Sequence, residues 1–175
     1  MSETYTRHIR NWSENKKPTN RWLFGAYIGF FAGLIWGGLR IVEYYFRFTD
    51  VVPGFLVEFF FRHDFLTTPW GGVVGWGAFI IFSIVAAELY AAFLFKVKGP
   101  WIGLMYGLLW WGLLYLLVGP MTGMLPWLYE IGWNSIITDV CLYALWGLFI
   151  GYSISVEFTD ERNRESDNVL GSLLK

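Results

Sequence analysis

The sequence predicts an all-α integral membrane protein with four transmembrane helices, built as two tandem, sequence-related helical hairpins. Three observations carry this. The 175 residues are 55% hydrophobic and only 15% charged, with a mean hydropathy of +0.44, whereas about a quarter of the residues in a soluble domain are charged. Four apolar stretches reach the roughly 20 residues that a helix needs to cross a hydrocarbon core. The apolar half is also written twice. Gly25–Leu39 (GAYIGFFAGLIWGGL) matches Gly99–Leu113 (GPWIGLMYGLLWWGL) at eight of fifteen positions, and Trp76–Ile84 matches Trp146–Ile154 at six of nine. The offsets, 74 and 70, describe a duplicated two-helix unit with a shortened second connection.

The chain begins with a polar arm, residues 1–20, carrying Arg7, Arg10, Lys16 and Lys17 just ahead of Arg21. No small-residue cleavage site follows, so the first span reads as an uncleaved signal anchor. Anionic lipid would favour the arm by about 1 kcal/mol per basic residue near the surface, and the same charges serve equally as a topology signal. The first hairpin covers 21–95, with spans near Arg21–Tyr45 and Trp70–Phe95. The second covers 96–156, with spans near Trp101–Gly119 and Trp133–Val156. Trp22, Tyr44, Tyr45, Trp70, Trp101, Trp127, Tyr129 and Trp133 mark the membrane–water boundaries. The runs are continuous rather than alternating, which indicates helices and not a barrel. Residues 157–175 are mixed in charge and read as a disordered cytoplasmic tail.

Basic residues set the orientation. Ten of the thirteen fall in the arm, in the connection at Lys96 and Lys98, and in the tail, whereas Arg40, Arg47 and Arg62 fall on the other side. Both termini are therefore expected in the cytoplasm, with the chain in the plasma membrane. The first outer connection, 46–69, is long and rich in phenylalanine. Thr49-Asp50 as a cap, Pro53 in a first turn and a Glu58/Arg62 pair suggest an interfacial or re-entrant helix. An aromatic loop packed on the bundle is the alternative. In the second outer loop, Met121 and Met124 have no histidine or cysteine nearby, so apolar packing is favoured over a soft-metal site. Cys141 is the only cysteine, so no disulfide can form within the chain.

Glycines recur at every fourth position: Gly25, Gly29, Gly33 and Gly37 in the first span, Gly99, Gly103 and Gly107 in the third, Gly147 and Gly151 in the fourth. Four residues advance about 400° around a helix, so each series forms a groove without side chains. Glycine costs a helix interior about 1 kcal/mol relative to alanine, and in lipid close backbone approach is what holds helices together. The grooves are therefore read as helix-packing faces, within the chain or towards a second protein. A pore lining is disfavoured, because the residues between the glycines are apolar.

Charges inside spans are costly and point to sites. Four are present: Arg40, Glu43, Glu88 and Asp139. Arg40 and Glu43 stand at i,i+3, and Asp139 lies at a similar depth in the fourth span, so these three are expected to form a buried polar cluster near the outer face. Glu88 lies near the other end and reads as interfacial. The cluster serves either as an ion-pair network fixing helix register or as a site for an ion or substrate. Only His8 and His63 are present, and no nucleophile elbow or phosphate-binding loop occurs, so no enzyme, metal site or cofactor is expected.

The chain resembles the YqhR family of small multi-spanning membrane proteins of Gram-positive bacilli. The resemblance rests on the basic arm ending in Arg21-Trp22, the Gly25-Gly29-Gly33-Gly37 helix followed by Arg40, the Phe-rich segment from Phe55 to Phe61, and the Pro120/Pro126 loop. It implies an integral cytoplasmic-membrane protein and carries over no functional residues. The sequence thus predicts a non-catalytic multi-pass protein, a scaffold or accessory subunit associating through glycine-faced helices with itself or another membrane protein, without nucleic acid. The alternative is a small transporter or channel with a polar site at the hairpin interface.

Overall fold

The computed structural model describes residues 20–94 and 99–173, with side chains as far as Phe158. The basic arm 1–19, with its expected contact to anionic lipid, and the connection carrying Lys96 and Lys98 lie outside the described residues. Four helices are long and apolar enough to cross a membrane: Arg21–Tyr45, Pro69–Phe93, Pro100–Thr122 and Trp133–Phe158. No strand occurs among the described residues.

Local chemistry sets the helix ends. Helix α1 (Arg21–Tyr45) starts where the Asn20 side chain accepts from the Trp22 amide. A four-residue helix, α2 (His63–Leu66), precedes α3 (Pro69–Phe93). Thr68 caps α3 by accepting from the Gly71 amide, and Pro69 occupies the first turn, where its missing N–H costs nothing. Helix α4 (Pro100–Gly112) follows Gly99, whose φ of 120° only glycine adopts readily. It continues as a π-helical stretch, Leu113–Val118, and a last turn, α5 (Gly119–Thr122), which stops at Gly123 in the left-handed region. Helix α6 (Trp133–Leu173) is 41 residues long.

Helix α6 corrects the expectation of a disordered tail, because the backbone stays helical past residue 157 as far as Leu173. No glycine or proline interrupts residues 152–170, so nothing stops a helix already nucleated in the span from propagating.

The spans pair as antiparallel neighbours, α1 with α3 and α4 with α6. A Cβ on Gly33 would stand 2.5 Å from the Cα of Ile80, and one on Gly29 would stand 2.6 Å from the Cα of Ile84. Gly103 and Gly107 likewise meet Gly147 and Gly151, backbone against backbone. The contact register does not follow the sequence match, however. Gly29 meets Ile84 and Gly103 meets Leu148, positions 64 apart, whereas the match pairs Ile84 with Ile154, 70 apart. Relative to the matched glycines, α6 is therefore displaced by six residues, about 9 Å of helix. The close backbone approach of Gly107 to Gly147 and Tyr143 sets its own register. The tandem match does not place its residues at equivalent positions.

Of the two readings of the connection from 46 to 69, the structure fits the aromatic loop packed on the bundle rather than one interfacial helix. It holds a 3-10 turn at Phe55–Val57 and the short α2. The Glu58/Arg62 pair is replaced by Glu58 with His63, at 2.6 Å. The segment folds back on the bundle: Pro53 and Gly54 lie against Gly75, and Phe65 and Leu66 against Gly71. Val51, Val52 and Phe55 are buried there. Non-helical backbone at membrane depth needs protein around it, and the α3 glycines open the space for it.

Candidate functional site

Arg40 and Asp139 are the two charged side chains buried at the loop end of the bundle, 1% and 0% exposed. Arg40 lies five residues before the end of α1, and Asp139 six residues after the start of α6. Both charges are thus inside their spans, where an unpaired one would cost several kcal/mol. They pair directly: Arg40 Nη1 donates to Asp139 Oδ1 at 3.0 Å. Arg40 Nη2 donates to the Tyr115 hydroxyl at 2.7 Å. The remaining carboxylate oxygen, Oδ2, accepts from Thr49 Oγ1 at 3.2 Å. Thr49 Oγ1 in turn accepts from the Val51 amide at 3.2 Å, and Ser135 Oγ accepts from the Asp50 amide at 2.9 Å.

Aromatic rings close the cluster. The Phe55 ring lies 4.6 Å from the guanidinium carbon, a cation–π contact in a desolvated setting. Phe55 also packs on Tyr115, and Tyr115 packs edge-on against Tyr143 and stacks on Trp111. Tyr115 lies in the π-helical stretch. The wider turn there changes the facing of the residues beyond it relative to a regular helix, and such insertions recur at functional sites. One ion pair thereby joins α1, α4, α6 and the returning loop.

The structure pairs Arg40 with Asp139, leaves Glu43 out of that pair, and puts Glu88, read as interfacial, at the other end of α1. Glu43 is not a hydrogen-bond or salt-bridge partner of Arg40. It is half-buried, and its Oε2 is enclosed without a hydrogen bond. The geometry favours Asp139 because it reaches the guanidinium across the helix interface and has Thr49 to hold its second oxygen. Glu88 is not in the cluster at all. Its carboxyl lies against Gly25, 3.4 Å from where a Cβ would be. Fifteen residues of α1 separate Gly25 from Arg40, about 22 Å along the helix.

The glycine rows are filled from within the chain. Gly25, Gly29, Gly33 and Gly37 face α3, where the Trp76 ring covers Gly37 and its indole N–H donates to the Leu34 carbonyl at 3.0 Å. Gly103, Gly107, Gly147 and Gly151 close on one another. These faces are thus occupied within the chain, the first of the two readings of them, which leaves no glycine groove open for the association that the scaffold reading had drawn from them. Gly99 is a turn glycine and not a packing one: a Cβ there would meet nothing within 4 Å.

Sequence reasoning did not single out Tyr115 or Ser135, and it read Thr49 as a helix cap and Phe55 as part of a Phe-rich segment rather than as members of the cluster. A tyrosine in an otherwise leucine-rich stretch, LLYLLV, was the available signal. Three further polar atoms in or near this end are enclosed without a partner: Arg40 Nε, the Tyr143 hydroxyl and the Trp111 indole nitrogen. An apolar groove of about 320 Å³ lies between Trp36, Pro100, Leu145, Leu148, Phe149 and Tyr152, and none of the cluster residues lines it. No group of three or more His, Cys, Asp or Glu residues suited to a metal occurs among the described residues.

The family model described as "Conserved membrane protein YqhR" matches residues 8–169. A Bacillus subtilis (strain 168) protein described as "Uncharacterized protein YqhR" is 32% identical over 172 residues, covering 97% of this chain and 96% of that protein. No solved structure matches the chain significantly. A four-span helical protein matched over nearly its whole length in this way belongs to the YqhR family of conserved membrane proteins.

Proposed function

We propose that the protein acts without catalysis, as a scaffold or accessory subunit of the plasma membrane with both termini in the cytoplasm. The observation that carries this reading is the enclosure of the Arg40–Asp139 pair. Each charge has a fixed partner, a ring lies over the guanidinium, and the loop from Thr49 to Phe55 covers the pair. An ion or substrate site needs access and exchangeable ligands, and a locked bundle needs neither. The excess of basic residues in the arm, at Lys96 and Lys98, and in the tail supports the orientation. With the glycine rows filled, association with a second copy or another membrane protein would use the outward aromatic and aliphatic surface of the spans.

A small transporter or channel is the competing reading. It draws on the unbonded Glu43 Oε2, Arg40 Nε and Tyr143 hydroxyl, which leave the cluster with spare hydrogen-bonding capacity. The two separate on one variant, Asp139→Asn, expressed in a strain lacking the native gene. Under the scaffold reading its complementation follows its melting temperature in lipid nanodiscs. A variant that stays inserted and folded but fails to complement overturns that reading and favours transport.

A further inference from the structure

Phe59, Phe60 and Phe61 are 70%, 79% and 43% exposed, three consecutive rings on the returning loop with little protein over them. Their depth follows from their neighbours. On one side Pro53 and Gly54 rest on Gly75, and on the other Phe65 and Leu66 rest on Gly71. Gly75 is six residues into α3, about 9 Å past its first residue. Both arms of the loop therefore run beside the first two turns of a membrane span, and the ring-bearing tip between them is tied to that level. Phe61 stacks on Phe65 at 5.6 Å between centroids, and Phe59 meets Phe60 edge-on at 5.4 Å.

Part of the tip's backbone is satisfied from within. The amides of Phe60 and Phe61 both donate to the Val57 carbonyl, at 2.9 and 3.0 Å, and the Phe65 amide donates to the Arg62 carbonyl at 3.0 Å. The remaining polar backbone suits the headgroup boundary, where water is still within reach, with the rings pointing deeper. The polar residues stand at the base of the tip, where Glu58 and His63 close across it at 2.6 Å. An apolar apex over a polar collar is the arrangement of an interfacial anchor. Exposed Trp70 and Val73 on α3 continue the same apolar surface onto the span itself.

We infer that the rings of the Phe59–Phe61 tip insert into the membrane interface at the Arg40 end of the bundle, at the boundary between headgroups and acyl chains, with lipid as their occupant. The inference does not depend on the choice between scaffold and transporter. It is tested with a nitroxide at position 60 (Phe60→Cys in a Cys141→Ser background) in lipid nanodiscs, and a second label at position 59 guards against a local effect. Collision with oxygen and with a water-soluble nickel chelate is read by power saturation. The native Cys141, exposed on α6 within its span, serves as the lipid-facing reference when labelled in the otherwise unaltered protein. The expected result is oxygen broadening comparable to that reference together with loss of the nickel effect. Strong nickel broadening at both positions places the tip in water and overturns the inference. Shielding from both reagents means that protein covers the tip, a second copy or another partner, and overturns it equally.

Discussion

Arg40 Nη1 and Asp139 Oδ1 stand 3.0 Å apart although ninety-nine positions separate the two residues in the chain. Both side chains are enclosed, so this contact is also a charge balance: removing either residue strands the other in a low-dielectric core. Breaking a buried pair from one side typically costs about 3–5 kcal/mol, whereas replacing both partners with well-packed apolar residues can be close to neutral. Asp139→Ala should therefore lower the melting temperature in lipid nanodiscs sharply, and Arg40→Met combined with Asp139→Leu should regain most of the loss. A double variant no more stable than Asp139→Ala would show that the pair itself is not what the bundle depends on.

Tyr115 and Tyr143 offer a matched comparison, since both are fully buried and pack edge-on against each other. The Tyr115 hydroxyl accepts from Arg40, and the Tyr143 hydroxyl is bonded to nothing. Tyr115→Phe leaves a buried guanidinium donor unsatisfied and should cost about 1–3 kcal/mol. Tyr143→Phe removes only an unsatisfied group and should be neutral or slightly stabilising. Chemical or thermal denaturation of the two variants side by side checks the difference in sign.

Glycines on the same helices should also divide by what lies opposite. A Cβ at Gly107 would run into the Tyr143 carbonyl and the Gly147 backbone, so Gly107→Ala must push α4 and α6 apart. A loss of about 1–3 kcal/mol is expected from overpacking. Gly77 has nothing within 4 Å, and Gly77→Ala should instead gain up to about 1 kcal/mol in helix propensity. Melting temperatures that fall for both would mean that Gly77 faces a partner.

Thr49 holds Asp139 with its hydroxyl hydrogen and the Val51 amide with its oxygen. Thr49→Val keeps the shape and deletes both bonds. Amide exchange over residues 49–55 should become faster while exchange in the middle of α1 and α3 is unchanged. Equal acceleration throughout would indicate global loosening rather than release of the loop.

Much of this was legible in the chain because single-residue physics dictated it. Uninterrupted apolar runs gave the four spans to within a few residues, and glycines spaced by four marked the helix-packing faces. The Arg40–Asp139 partnership followed from depth, since two opposite charges at one level of a bundle have few other ways to be satisfied. What stayed hidden depended on register. Tyr115 reaches Arg40 from a π-helical stretch that no local signal announces, and Glu43 is close in sequence yet unbonded to its neighbour. The tandem match misled because the glycine faces of α4 and α6 fix their own sliding position. The tail misled in the opposite direction: its polar composition suggested disorder, while the absence of breakers let the helix run on.

The separation of the pair along the chain has a consequence for biogenesis. At about 5–20 residues per second, several seconds pass between the synthesis of Arg40 and that of Asp139. During that interval α1 exists and α6 does not. Its cation cannot yet have the partner that it keeps in the finished protein, and Tyr115 follows only after 75 further residues. The one acidic residue available on α1 is Glu43, three positions on and on the same face. A side chain that makes no hydrogen bond to Arg40 in the mature bundle is thus the nearest counter-charge while the bundle is being made.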